Sequence, residues 1–111
     1  MSVEVQRYKT AIGRPALSLP AKLLFQSGLV SDETSVLDYG CGRGDDVKFL
    51  NELGVPAVGW DPHFQPDPTI LAQHDIVNLG FVLNVIEDPQ ERKTVLNEAY
   101  SLTEKCLAVS V

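Results

Sequence analysis

The chain has 111 residues, 44% hydrophobic and 22% charged, with a net charge of −6, enough for one domain with a modest core and too few for two. No stretch approaches the roughly 20 apolar residues that span a membrane, and the first ten residues carry Glu4, Arg7 and Lys9 in place of a signal-peptide core, so a cytoplasmic protein is expected. The acidic balance excludes a general attraction for phosphate backbones, and Cys41, Cys106, His63 and His74 show neither disulfide nor zinc-ligand spacing, so no metal is expected.

Residues 1–35 read as an N-terminal arm and a short helix. Arg7, Lys9, Arg14 and Lys22, with Tyr8 among them, form a solvated arm or the one local basic patch available to a nucleic acid. A turn is expected at Gly13, Arg14 and Pro15. Pro20 suits a first helical position, Leu23, Leu24, Phe25 and Leu29 give an apolar face, and Gly28 closes the helix.

The second unit, 36–111, begins with a strand over Val36–Tyr39 and a helix over Asp45–Leu53 whose buried stripe is Val47, Leu50 and Leu53, capped by Gly54. A second strand covers Ala57–Trp60 and finishes at Asp61. Pro62, Pro66 and Pro68 then impose an extended connection, with room for one turn over Thr69–Gln73. A third strand is expected over Asp75–Leu79, broken by Gly80 and followed by a short apolar segment, Phe81–Ile86. Pro89–Thr103 is the clearest helix, with Val95, Leu96, Ala99 and Leu102 on its buried face and Glu91, Arg92, Lys93 and Glu98 elsewhere. Cys106–Val111 is a fourth strand.

Strands alternating with helices point to an α/β domain with a Rossmann-like, mostly parallel sheet. The chain ends on what this order makes a central strand, so the sheet is expected to be truncated after that fourth segment and completed by a C-terminal domain or a partner chain.

The segment VLDYGCGRGDD, Val36–Asp46, carries the chemistry. Gly40, Gly42 and Gly44 follow a strand and precede a helix, where glycine allows positive φ and close approach to a ligand. A plain strand-to-helix turn is the structural alternative. Gly44 is followed by Asp45 and Asp46, not by the Lys and Ser or Thr of a triphosphate loop, and Asp45 stands where a dinucleotide fingerprint has its third glycine. A nicotinamide-dependent oxidoreductase is therefore the weaker option. A ligand with an amine and a ribose but no phosphate fits better: Asp38 can accept from an ammonium, and Asp61, about 20 residues further on, can receive ribose hydroxyls. S-adenosylmethionine has these groups.

VLDYGCGRG with VGWDP and DIVNLGFVLNVIEDP resembles class I S-adenosylmethionine-dependent methyltransferases. TAIGRPALSLPAKLL, GWDPHF and VNLGFVLNVIEDPQER are similar to the N-terminal domain of a bacterial family of DNA phosphorothioation-associated methyltransferases. The resemblance implies that Asp38, Gly40, Cys41, Gly42 and Gly44 surround the methionine part of the cofactor, that Asp61 and Pro62 face the ribose and adenine, and that Leu79 and Gly80 lie beside the sulfonium. Asn84 stands where relatives carry a His or Glu, which makes it the candidate catalytic residue, with Asp75 and Tyr39 behind it. A nucleic-acid acceptor follows from family association alone. The alternative function is a non-catalytic module that binds the cofactor or mediates assembly in a DNA-modification or defence system.

Three further groups have two readings each. Cys41 is a small residue tolerated between glycines, or a reactive thiol. Glu87, Asp88 and Glu91 are a helix start, or a general-base cluster. Asn78 satisfies buried backbone groups, or points toward the ligand.

Overall fold

The computed structural model describes residues 17–111; the basic arm and the turn expected at Gly13–Pro15 lie outside them. Helix α1 spans Leu19–Gln26, β1 Val36–Tyr39, α2 Asp45–Glu52, β2 Ala57–Trp60, β3 His74–Gly80, α3 Pro89–Ser101 and β4 Thr103–Ser110, with 3₁₀ turns at Pro68–Ile70 and Leu83–Val85. The fold is α/β, and the four strands are all parallel in the order β2-β1-β3-β4.

The apolar strands carry both faces of the core because a parallel sheet is covered on each side. Side chains alternate along each strand. Val36 and Ile76 therefore face one layer with Leu24, Val30, Leu50 and Val55, while Leu37, Tyr39, Val77 and Leu79 face the other with Ala99. Helices α1 and α2 cover the first face and α3 the second.

Several expected boundaries move. The buried face of α1 is Pro20, Ala21 and Leu24, while Leu23 is 55% exposed because 3.6 residues per turn rotate it away from Leu24, and Leu29, 53% exposed, lies beyond the end of the helix. Leu53 is half exposed at the end of α2, and buried Val55 packs into that layer beside Leu50. Gly80 does not break β3: it pairs with Ser110, and the strand turns at Phe81, whose φ is 59°. Helix α3 stops at Ser101, and β4 begins at Thr103 instead of Cys106 because its polar start already pairs with His74 on β3. Expected as a central strand, β4 forms an edge of the described sheet.

Ser18, just before α1, donates through N and Oγ to Asp46 of α2 at 2.8 and 2.5 Å. The bidentate contact ties the N-termini of the two helices together. Gly59 lets α2 approach β2: a Cβ there would lie 2.7 Å from Cys41 Sγ and 2.9 Å from Val47 Cγ2. Gly59→Ala is expected to destabilise the chain by about 1–3 kcal/mol, seen as a lower urea midpoint at unchanged m-value.

Candidate functional site

After β1 the chain turns one way, through α2 to β2; after β2 it crosses back past β1 to β3. The strand order reverses between β1 and β3, and loops leaving such a switch point diverge to form a crevice at the C-terminal strand ends. The glycine loop stands on that edge.

Gly40, Gly42 and Gly44 all have positive φ, 85°, 59° and 90°. The N–H groups of Gly40 and Cys41 both donate to the Trp60 carbonyl, at 2.7 and 3.0 Å, which pins the loop to the end of β2. Gly40 also passes under Val82, whose Cγ2 lies 2.5 Å from where a Cβ would sit.

Asp61 is the hub of the edge. Its Oδ2 accepts from Gly42 N at 2.9 Å, and its Oδ1 from His63 N and Phe64 N at 2.9 and 3.0 Å. Asp61 and Gln65 exchange main-chain bonds that close the turn, and the Arg43 guanidinium lies 4.7 Å over the Phe64 ring. Partial burial alone would push the Asp61 carboxyl up, but the donors from Phe64, His63 and Gly42, with the His63 charge, together hold it below the ordinary carboxylate value. A carboxylate offers about four lone-pair sites, so the Asp61 expected to receive two ribose hydroxyls has room for one without giving up an amide.

A cavity of about 620 Å³ opens on the α3 side of this edge, within the range of small-molecule sites. Of the residues expected from sequence, Gly40, Asp61, Pro62 and Gly80 line it, together with Tyr39, one of the two secondary catalytic candidates. Cys41 and Gly44 border a separate cleft of about 220 Å³ with Arg43 and Lys48. Asp38 is buried on the opposite face of the sheet, where Asn78 Nδ2 donates to its Oδ1 at 3.2 Å. The Asn78 Oδ1 is buried and unpaired among the described residues. Leu79 is fully buried in the core, and Asn84 is exposed on a 3₁₀ turn outside the cavity wall.

The sequence reading named Tyr39 only as a secondary catalytic candidate and missed its pairing with Trp60 and Glu98. Tyr39 and Trp60 sit side by side in register on β1 and β2, ring centroids 5.0 Å apart, and both line the cavity. The Tyr39 hydroxyl donates a hydrogen bond to Glu98 Oε1. Burial, then the bond to Glu98 and its charge, raise the Tyr39 pKa well above its ordinary value. Glu91, read from sequence as part of a helix start or a general-base cluster, and Glu98, placed off the apolar face of α3, line the cavity as well; their seven-residue spacing puts them on one helical face. Period-two alternation, which sends Leu37 and Tyr39 the same way as Val58 and Trp60, was the available signal.

Cys41 has its thiol pushed up to about 11 by burial and by the charges of Asp38 and Asp61, which leaves little thiolate at neutral pH and favours the small-residue reading. In a Cys106→Ser variant, alkylation of Cys41 should be slow at pH 7 and quicken about tenfold per pH unit until near pH 11. Asp88 accepts from Gln90 N at 3.0 Å and so caps α3, which satisfies one of the amides a helix start leaves open. Among the described residues, no group of three or more His, Cys, Asp or Glu could hold a metal ion, and no helix is long and apolar enough to cross a membrane. Comparison with family models, curated proteins and solved structures finds no match to this chain.

Proposed function

We propose that this chain is an S-adenosylmethionine-binding domain of the class I methyltransferase type. The observation that carries this reading is the joining of the glycine loop to Asp61 through the Gly42 amide, beside a cavity at the switch point of a parallel sheet. The residues suit the cofactor: three glycines give a close-approach loop, the cavity is large enough, and no Lys, Arg or His lines it among the described residues, as expected for a ligand without phosphates. Gly40 and Gly80 would border the methionine and sulfonium, and Asp61 with Pro62 the ribose.

Bound there, the cofactor supplies a methyl group already activated by its sulfonium. The chain's own contribution is to hold and orient it, exclude water with the Val82, Val85 and Ile86 wall, and leave the open rim to an acceptor. A nucleic-acid acceptor belongs to the same proposal through the family resemblance. A second reading, a module that binds the cofactor without turnover, is favoured by Asn84 lying outside the cavity wall.

Thermal shift separates these ligand readings. S-adenosylmethionine and S-adenosylhomocysteine at saturation should each raise the unfolding midpoint by about 5 °C or more, and NAD should leave it unchanged. A shift with NAD alone would overturn the proposal in favour of a dehydrogenase.

A further inference from the structure

Charge is sorted between the two hollows of the switch-point edge. Among the described residues, the larger cavity is lined by Asp61, Glu91 and Glu98 and by no Lys or Arg, whereas the cleft of about 220 Å³ beside α2 is lined by Arg43 and Lys48, with Gln65, and by no carboxylate. In a chain with a net charge of −6, two cations in one cleft are a local reversal of sign. Asp45 and Asp46 follow Gly44 but line neither hollow, and Asp46 is bound by Ser18.

The two cations are not neutralised by neighbouring acids. Neither the Arg43 nor the Lys48 side chain has an ion-pair or hydrogen-bond partner among the described residues. Their contacts are with rings: Arg43 lies 4.7 Å over Phe64, and Lys48 lies 5.9 Å from the Phe49 centroid. A guanidinium on an aromatic face keeps its N–H fork for a phosphate. Phe64 is itself held, since its N–H and that of His63 bind Asp61 and the His63 ring meets it at right angles with centroids 4.6 Å apart, while the side chain stays 43% exposed. Exposed, fixed rings beside unpaired cations are the combination that holds a single nucleic-acid strand, cations on the backbone and rings on the bases. The carboxylates of the larger cavity repel a phosphate, which leaves the cleft as the place for one.

We infer that the Arg43–Lys48 cleft binds a backbone phosphate of a single-stranded nucleic acid, with Phe64 and His63 taking the adjoining base. This rests on the nucleic-acid part of the reading above and adds to it the residues that hold the strand.

The test is fluorescence anisotropy of a labelled oligothymidine of about 12 nucleotides, titrated with the whole chain at several salt concentrations. The wild type should bind at low salt, with log K falling against log salt by about 0.7 for each phosphate held. Arg43→Ala and Lys48→Ala should each weaken binding about fivefold or more and flatten that slope by about 0.7. Phe64→Leu, which keeps an apolar support under Arg43, should weaken binding with the slope unchanged. Lys93→Ala, an exposed cation outside the cleft, should change neither. All four variants should keep the wild-type affinity for S-adenosylhomocysteine, because none of these residues lines the larger cavity. Strand binding that Arg43→Ala and Lys48→Ala leave unaltered, or that is lost only on replacing Arg7, Lys9 and Arg14, would overturn the cleft assignment and leave the nucleic-acid reading standing. Thymidine monophosphate binding as tightly as the strand would also overturn it, in favour of a mononucleotide site. No binding of the strand at low salt would overturn both.

Discussion

Asp61→Ala is expected to lower stability by about 2–4 kcal/mol, from three charge-assisted hydrogen bonds, and to abolish binding of S-adenosyl ligands. The carboxylate accepts the N–H groups of Gly42, His63 and Phe64, so it joins the glycine loop to the turn after β2. Alanine leaves those donors to water and releases the two segments from each other. Asp61→Asn is the informative companion: it keeps one acceptor oxygen but turns a donor toward either Gly42 or the His63–Phe64 pair, so its loss should be intermediate. The pH dependence has a definite sign. Burial raises the Asp61 pKa and the three amides lower it, with a net depression in the folded chain. Its stabilisation is therefore fully present above the unfolded value of about 3.9 and fades as pH falls through the lower folded value. Denaturation of the wild type and Asp61→Ala between pH 7 and pH 3 should show the difference shrinking only at the acid end.

Gly40→Ala is expected to cost about 2–5 kcal/mol through two separate effects, a left-handed backbone at an L residue and overpacking against a neighbour. The backbone has φ 85°, and the added Cβ would meet Val82 Cγ2 at 2.5 Å. Relief requires the segment after β3 to move, which shifts a wall of the cavity, so ligand binding should weaken along with stability. Val82→Ala in the same chain should recover the packing part and leave the backbone part. The resulting coupling, about 1–3 kcal/mol from a urea double-mutant cycle, distinguishes the two effects.

The strand positions and the glycine loop were legible because they are local: apolar runs bounded by turn residues mark β1 and β2, and glycine at alternate positions marks a loop needing positive φ. Asp61 was legible as an important acid for the same reason. What it holds was not, because its nearest partner by function, Gly42, is 19 residues away and meets it only once β1 and β2 pair. The Tyr39–Glu98 contact spans 59 residues and depends on α3 packing over the sheet, which no local pattern encodes. Helix and strand ends shifted where tertiary pairing overrode side-chain preference: Thr103 leaves a helical pattern to join β4. Asp38, expected near the ligand's amino group, alternates to the face opposite Tyr39 and is buried with Asn78. That separation follows from strand periodicity and could have been read from it.

The most direct measurement is an amide correlation spectrum of the ¹⁵N-labelled chain titrated with S-adenosylhomocysteine. Cofactor binding at the switch-point edge predicts saturable shifts concentrated at Gly40, Gly42, Asp61, Gly80 and Phe81, with the α1 amides unchanged. A well-dispersed spectrum that does not respond, or shifts confined to α1 and β4, would contradict it.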